Sequence, residues 1–264
     1  MIVSVNWLKK YTDITGSIDD LARLIGARLV EIEATESLAE KYSGVIVVRV
    51  VSCEAVPDSD HLNLTKVDDG GVLEGVERDE NGYVQVVCGA PNVHAGMLAA
   101  WLPPASTVPE TFNDAEPFVL GARKLSGYMS NGMLASAKEL DLFDDHSGIV
   151  EIDKEAQPGT RFADLYELND TLLDIENKSL THRPDTFGVV GFAREIAGIQ
   201  GDSFTTPEWL RQLDATVSVN GEVLEAPRII IDEPELSDRF SAVILTGANE
   251  AAQSPLEIQT YLAR

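Results

Sequence analysis

Apolar positions along the chain come in short runs, separated by Gly, Pro and Asn. Ile2, Val3 and Val5 predict a strand, and Trp7-Leu8 with Tyr11 a helical turn after it. Ser17 ahead of Ile18-Asp19-Asp20 predicts a helix, since Ser is a good N-cap and acid in the first turn suits the helix dipole. Leu21, Leu24 and Ile25 form its buried stripe and Gly26 its expected end. Residues 29–33 alternate like a strand with one wet face. Strands are then expected at 45–51, 64–67, 84–88 and 97–102, the last stopped by Pro103-Pro104, with a closing strand at 149–152. Gly89 to Asn92, Asn81-Gly82 and Ser130-Asn131-Gly132 carry turn chemistry. Short strands punctuated in this way predict a small closed barrel over residues 40–153.

Beyond the barrel the period changes. Residues 172–176 read as a strand, and Val189, Phe192, Ala193, Ile196 and Ala197 fall at helical spacing up to Gly198. A polar connector covers 201–225, strands are expected at 229–231 and 242–245, and a helix starts at Ser254-Pro255 and runs to Leu262. A helix with an uncovered stripe at the last residue implies a piece of a longer chain.

The motifs VVCGAPNV (86–93) and SNGMLAS (130–136) together resemble the tRNA-binding oligonucleotide-fold module of the bacterial phenylalanyl-tRNA synthetase β subunit. Free-standing tRNA-binding proteins and the end of some methionyl-tRNA synthetases share that module. The flanks favour the β subunit: VNWLKKY and SIDDLARLIGARLVEIE resemble its opening, and DIENKSLTHRPDTFGVVGFAREIAGI resembles the segment after its barrel. The pattern P-x-A-D-x-L is met at Pro57, Asp60 and Leu62, with Ser59 in place of Ala.

The resemblance implies an α+β multidomain chain. An OB-fold barrel of the tRNA-binding type (40–153) is inserted in a small discontinuous α/β domain (1–39 and 154–200), with a linker and the start of a third, editing domain at 201–264. It implies a subunit of phenylalanine–tRNA ligase in an α2β2 assembly, in which the α subunit activates phenylalanine with ATP and Mg and this chain supports assembly and tRNA contact. No cofactor is expected on this piece, and the cytoplasm is the expected location. A free-standing OB-fold RNA-binding protein and a protein-interaction module are the alternatives.

Charge changes this picture. The chain carries 20 Lys and Arg against 44 Asp and Glu, a formal net of −24, and the barrel region carries 7 against 19, a net of −12. A free nucleic-acid binder ordinarily shows a basic footprint. The cations expected to serve RNA are therefore few: Arg123, Lys124 and Lys138. With them, Ser130 and Asn131 are the candidate tRNA contacts, against a purely architectural reading of the same turn. Tyr83, Trp101 and Tyr128 are candidate stacking platforms or core residues.

The remaining chemistry reads as structural. Cys53 and Cys88 lie in apolar runs and read as buried, reduced thiols. His61, His94, His146 and His182 are scattered without metal-ligand spacing. Asp185 is expected in a first helical turn, where Arg183 can pair with it or with a neighbour. No GxxxxGK, GxSxG or HExxH motif occurs, so no catalytic or metal-binding residue is assigned. No run approaches a membrane span, and the N-terminus lacks the features of a signal peptide.

Overall fold

Strand periodicity and turn chemistry carry most of the architecture in the computed structural model of the chain. It describes residues 1–57, 59–211, 228–237, 239–240, 242, 247, 249 and 252–264. The chain divides into two compact units: Met1–Thr206 with Pro255–Arg264, and Pro207–Ser254.

In the first unit the chain runs β1 (Ile2–Ser4), α1 (Val5–Leu8), α2 (Ile18–Arg28), β2 (Ile32–Ser37) and α3 (Leu38–Lys41). Then come β3 (Ile46–Ala55), β4 (Asn63–Asp68), β5 (Val84–Cys88), β6 (Leu98–Leu102), β7 (Ala122–Leu125), β8 (Tyr128–Asn131) and β9 (Met133–Leu134). The unit continues with α4 (Phe162–Leu165), β10 (Thr171–Ile175) and α5 (Val189–Gln200). The second unit holds α6 (Glu208–Arg211), and α7 (Leu256–Leu262) belongs to the first unit again.

One sheet has the order β1-β10-β2, both pairings antiparallel, so the two ends of the first unit's sequence meet in it. Its apolar face packs on α2 and α5 in a core of Val3, Leu8, Leu21, Ile25, Leu173, Phe192 and Ile196. Each such side chain, fully withdrawn from water, contributes about 1.5–3 kcal/mol before conformational entropy is set against it. Ser17 caps α2, and Asp20 bonds back to the Ser17 amide, a capping box. Helix α2 runs past Gly26 to Arg28, because the amides of Leu29 and Val30 still reach the Ile25 carbonyl at 2.8 and 3.0 Å. The following strand begins correspondingly later. Helix α5 likewise passes Gly198 and stops at Gly201, which takes the left-handed conformation (φ 75°) of a helix end.

The second sheet is five-stranded and antiparallel, in the order β5-β4-β3-β6-β9. It curls into a nearly closed barrel. β3 is long enough to pair with β4 along one half and β6 along the other, with a register shift between Val50 and Ser52. Val48, Val50, Val67, Val84, Val86, Ala99 and Trp101 fill its interior. The expected closing strand at 149–152 is not a strand. The Val150 amide donates to Ala135 O and the Ile152 amide to Leu98 O, each at 2.8 Å, so the segment crosses between neighbours instead of laddering on one. A two-residue hairpin, β7 to β8, was not among the expected strands. Its turn is Ser126-Gly127, both with positive φ (47° and 86°), as a hairpin turn of the primed type requires.

Asp185 does not open α5. It lies in a separate 3-10 turn, Pro184–Phe187, and Gly188 is the N-cap of the helix. There the Arg183 guanidinium donates two bonds of 2.9 Å to Asp185 and a third to Glu195, holding the Asp185 carboxyl below its usual range. The cluster ties the turn to α5 and is architectural.

Helix α7 packs on the first unit. Leu256 joins the core around Phe162, Leu168 and Leu172, and the Tyr261 ring stacks on Trp7 at 4.4 Å between centroids. Lys10 and Arg264 each place their charge 4.8 Å from the same ring. In the second unit, residues 229–231 form no strand among the described residues and are exposed, with no sheet partner to bury their isoleucines. The expected strand at 242–245 lies outside the described residues except for Ala242.

Candidate nucleic-acid interface

The barrel's open seam lies between β5 and β9, and the β7–β8 hairpin covers it. β8 is not laddered to β5. Side chains make the join: Gln85 Nε2 donates to Met129 O at 2.9 Å, Asn131 Nδ2 to Gln85 O at 3.1 Å, and the Val87 amide to Ser130 Oγ at 3.0 Å. Ser130 Oγ also donates to Gly132 O at 2.9 Å. Asn131 O receives the Trp101 indole N–H at 2.9 Å.

Ser130 is 1% exposed and Asn131 4% exposed, so their polar groups serve the seam and not the surface. Trp101 is core as well, while Tyr83 and Tyr128 are half-buried. Arg123 and Lys124 are exposed on β7, where Arg123 pairs across the hairpin with Ser130 and Lys124 with Met129. The four candidate residues are thus brought together on one hairpin, but split by environment into two exposed cations and two buried clamps.

Loss of a buried partner separates these roles. Ser130→Ala leaves the Val87 N–H without an acceptor and should cost about 1–3 kcal/mol. Arg123→Ala should stay within about 0.5 kcal/mol of the parent. Urea midpoints of the two variants check this, and equal losses would put Ser130 outside the seam's support.

Ion pairing sorts the barrel's seven cations. Of the barrel's cations, Lys41 pairs with Asp141 and Glu36, Lys66 with Asp79, Arg78 with Asp69 and Lys138 with Asp144. Lys138, one of the three cations expected to face RNA, thus has a carboxylate partner, and the Asp144 hydrogen bond holds its ammonium above the usual range. Arg49, which donates to Gly96 O at 3.1 Å, and Arg123 and Lys124 on the hairpin have no carboxylate partner among the described residues.

Beside the hairpin is a cleft of about 360 Å³. Residues 87–91 and Met133, Leu134 and Ser136 line it, so both motifs of the sequence contribute to it. Arg123 and Leu125 stand at the hairpin side, and Glu139 and His146–Ile149 complete the lining. The Asn92 amide fixes the far wall, donating to Ile149 O at 2.8 Å and accepting from the Ile149 amide at 2.9 Å. Glu139 is held by the Ser136 amide at 2.6 Å and by His146 Nδ1 at 3.1 Å. All four histidines are exposed. Cys88 is buried and Cys53 half-buried; both are free, and burial pushes both thiols up. Among the described residues, no group of three or more His, Cys, Asp or Glu side chains is placed to hold a metal ion, and no helix is long and apolar enough to cross a membrane.

Residues 45–161, which hold the curled five-stranded barrel and its cationic hairpin, match the family described as "Putative tRNA binding domain". Along 98–100% of its length the chain is similar to proteins named phenylalanine–tRNA ligase β subunit. That of Bordetella pertussis (strain Tohama I) is 31% identical over 259 residues, 98% of this chain and 29% of the relative. That of Neisseria meningitidis serogroup A is 33% identical over 265 residues, 100% of this chain and 31% of the relative. That of Yersinia pestis is 31% identical over 259 residues, again 98% of this chain and 29% of the relative. The chain therefore spans about three tenths of the length of these curated relatives. A solved structure titled "Crystal structure of MetRS related protein from Pyrococcus horikoshii" matches 44% of this chain and 86% of its own at 21% identity, with a TM-score of 0.29, too low to define a shared fold.

Proposed function

We propose that the chain is the N-terminal region of the β subunit of a phenylalanine–tRNA ligase, working in the cytoplasm within an α2β2 assembly. The observation that carries this is similarity over 98–100% of the chain to proteins of that name, flanks as well as barrel. In this reading 40–153 is an OB-fold module inserted in a discontinuous α/β domain of 1–39 and 154–200, and 201–264 leads towards a further, editing domain. The meeting of β1, β2 and β10 in one sheet supports the discontinuous arrangement. ATP and Mg serve the complete ligase. In this reading the partner α subunit activates phenylalanine, and this chain supports assembly and tRNA contact.

The work of this chain is to bind and position. Arg123 and Lys124 meet tRNA phosphates, and Ser130 and Asn131 hold the hairpin that presents them. Phosphate neutralisation supplies most non-specific affinity, and each contact contributes about 0.7–0.9 to the salt slope. With 19 acids in the barrel opposing them, two cations should give weak binding, on the order of 10⁻⁴ M at physiological salt. Titration of labelled tRNA at two salt concentrations tests the assignment. The double change Arg123→Ala with Lys124→Ala should flatten the salt dependence and weaken binding further. Micromolar affinity that survives it would place the RNA surface elsewhere. No binding in either protein would favour the protein-interaction module, the reading to which the net charge of −24 lends weight.

A further inference from the structure

The cleft lined by the two motifs has apolar groups in its lining, among them Leu62, Val87, Pro91, Leu125 and Met133. Its volume of about 360 Å³ lies at the small end of ligand pockets, which run from about 300 to 1,000 Å³. It has room for one flat ring system with its sugar and not for a folded element. Its walls are fixed in advance. Asn92 clamps the 148–149 backbone from both sides, and a side chain on Gly148 would come within 2.5 Å of Asn92 Oδ1.

Charge gives the cleft a direction. Arg123, on the hairpin and without a carboxylate partner among the described residues, and Glu139 both line it. A phosphate is repelled by Glu139 and attracted by Arg123, so an entering nucleotide must put its phosphate on Arg123 and its base inward. Glu139 Oε2 already accepts from the Ser136 amide and hydroxyl, and Oε1 meets His146. A carboxylate has about four acceptor sites, which leaves capacity for one N–H donor from a base edge; an exocyclic amino group such as cytosine N4 supplies it, whereas the N3–H of uracil lies between two carbonyl oxygens that the carboxylate repels.

We propose that this cleft holds a single unstacked nucleotide of the bound RNA, with a base bearing an exocyclic amino group preferred over uracil. The proposal rests on the tRNA-binding reading above and adds where, and by which chemistry, one base is read. Single-stranded RNA is recognised in this way, by splayed bases packed on protein side chains and bonded along their edges. Here aliphatic side chains and the Met133 thioether replace the aromatic platform.

The test uses the full chain. Cytidine and uridine 5′-monophosphate are titrated in turn while amide NMR signals are followed. Cytidine monophosphate should shift signals of 87–91 and 133–136, more strongly than uridine monophosphate does. Ala90→Leu, which fills the cleft, should abolish the shifts; if it lowers the melting temperature, Ser147→Trp at the exposed lining serves instead. The filled variant should also bind tRNA about three- to tenfold more weakly with an unchanged salt slope, since no phosphate contact is lost. Absence of mononucleotide shifts at these residues overturns the proposal whether or not tRNA binds. Mononucleotide shifts without tRNA binding uphold the cleft's chemistry and count against the tRNA reading alone. Equal shifts from the two nucleotides overturn the base preference.

Discussion

Gly132→Ala should unfold the barrel or come close to it, whereas Gly127→Ala, on the hairpin just before it, should lower stability by only about 1–2 kcal/mol. Both glycines hold positive φ, 79° at Gly132 and 86° at Gly127, so both substitutions meet the left-handed penalty of an L side chain. The surroundings differ. A Cβ on Gly127 would meet nothing within 4 Å, while one on Gly132 would lie 2.0 Å from Leu102 O and 2.9 Å from Pro103 Cα. That obstacle is backbone and cannot rotate away. The chain must separate β9 from the end of β6, where Leu102 pairs with Met133, and pull Asn131 O off the Trp101 indole. The loss should exceed about 4 kcal/mol, the range reached only by disrupted cores and strained backbones. In a unit of this size each kcal/mol shifts the melting temperature by roughly 2–4 °C, so a fall of ten degrees or more is expected by circular dichroism. Equal losses in the two variants would show that close approach to Leu102 is not what Gly132 supplies.

The same turn shows what the sequence could tell and what it could not. Ser130-Asn131-Gly132 was legible as a turn because turn residues have local causes. That Ser130 and Asn131 face inward was not, since their partners Val87, Gln85 and Trp101 come from strands distant in sequence. The β7–β8 hairpin did carry a local signal, Ser126-Gly127 between residues that pair, which the strand expectations passed over. The segment 149–152 has the composition of a strand, but its two amides bond to different neighbours, an outcome fixed by tertiary packing. Helix ends misread at Gly26 and Gly198 show the same limit. A glycine ends a helix where the backbone turns left-handed, as at Gly201, and not merely where one occurs. Of the candidate site, Arg123 and Lys124 were identifiable as the barrel's only adjacent cations, but the pairing of Lys138 with Asp144 depends on how the acidic loop folds back.

Arg78→Ala should cost about 3–5 kcal/mol at neutral pH, the loss found when one partner of a buried ion pair is removed, and the deficit should shrink on acidification. Asp69 is fully buried, and Arg78 grips both its oxygens, at 2.6 and 2.9 Å. The amides of Gly71 and Leu73 each donate to it at 3.1 Å. Burial alone pushes the Asp69 carboxyl up, but the Arg78 bonds and those two amides outweigh it and hold the carboxyl below its ordinary value. In the parent this contribution is therefore complete above the unfolded value of about 3.9 and is lost as pH falls through the lower folded value. Without Arg78, burial regains the upper hand. The carboxyl then titrates above its unfolded value, and the variant is most handicapped at the pH where Asp69 must stay charged. Urea midpoints at pH 7 and at pH 4.5 should thus converge between parent and variant as the pH falls. Adding Asp69→Asn to Arg78→Ala should restore part of the loss at pH 7, because no charge is left to strand. A deficit that widens in acid, or a double variant weaker than the single one at pH 7, would mean that the pair does not act through the buried charge. The consequence reaches the β7–β8 hairpin, because Arg78 also holds Gly82 O and Leu73 O at 2.9 and 2.7 Å. The loop it pins leads directly into β5, the strand on which Ser130 and Asn131 seat β8.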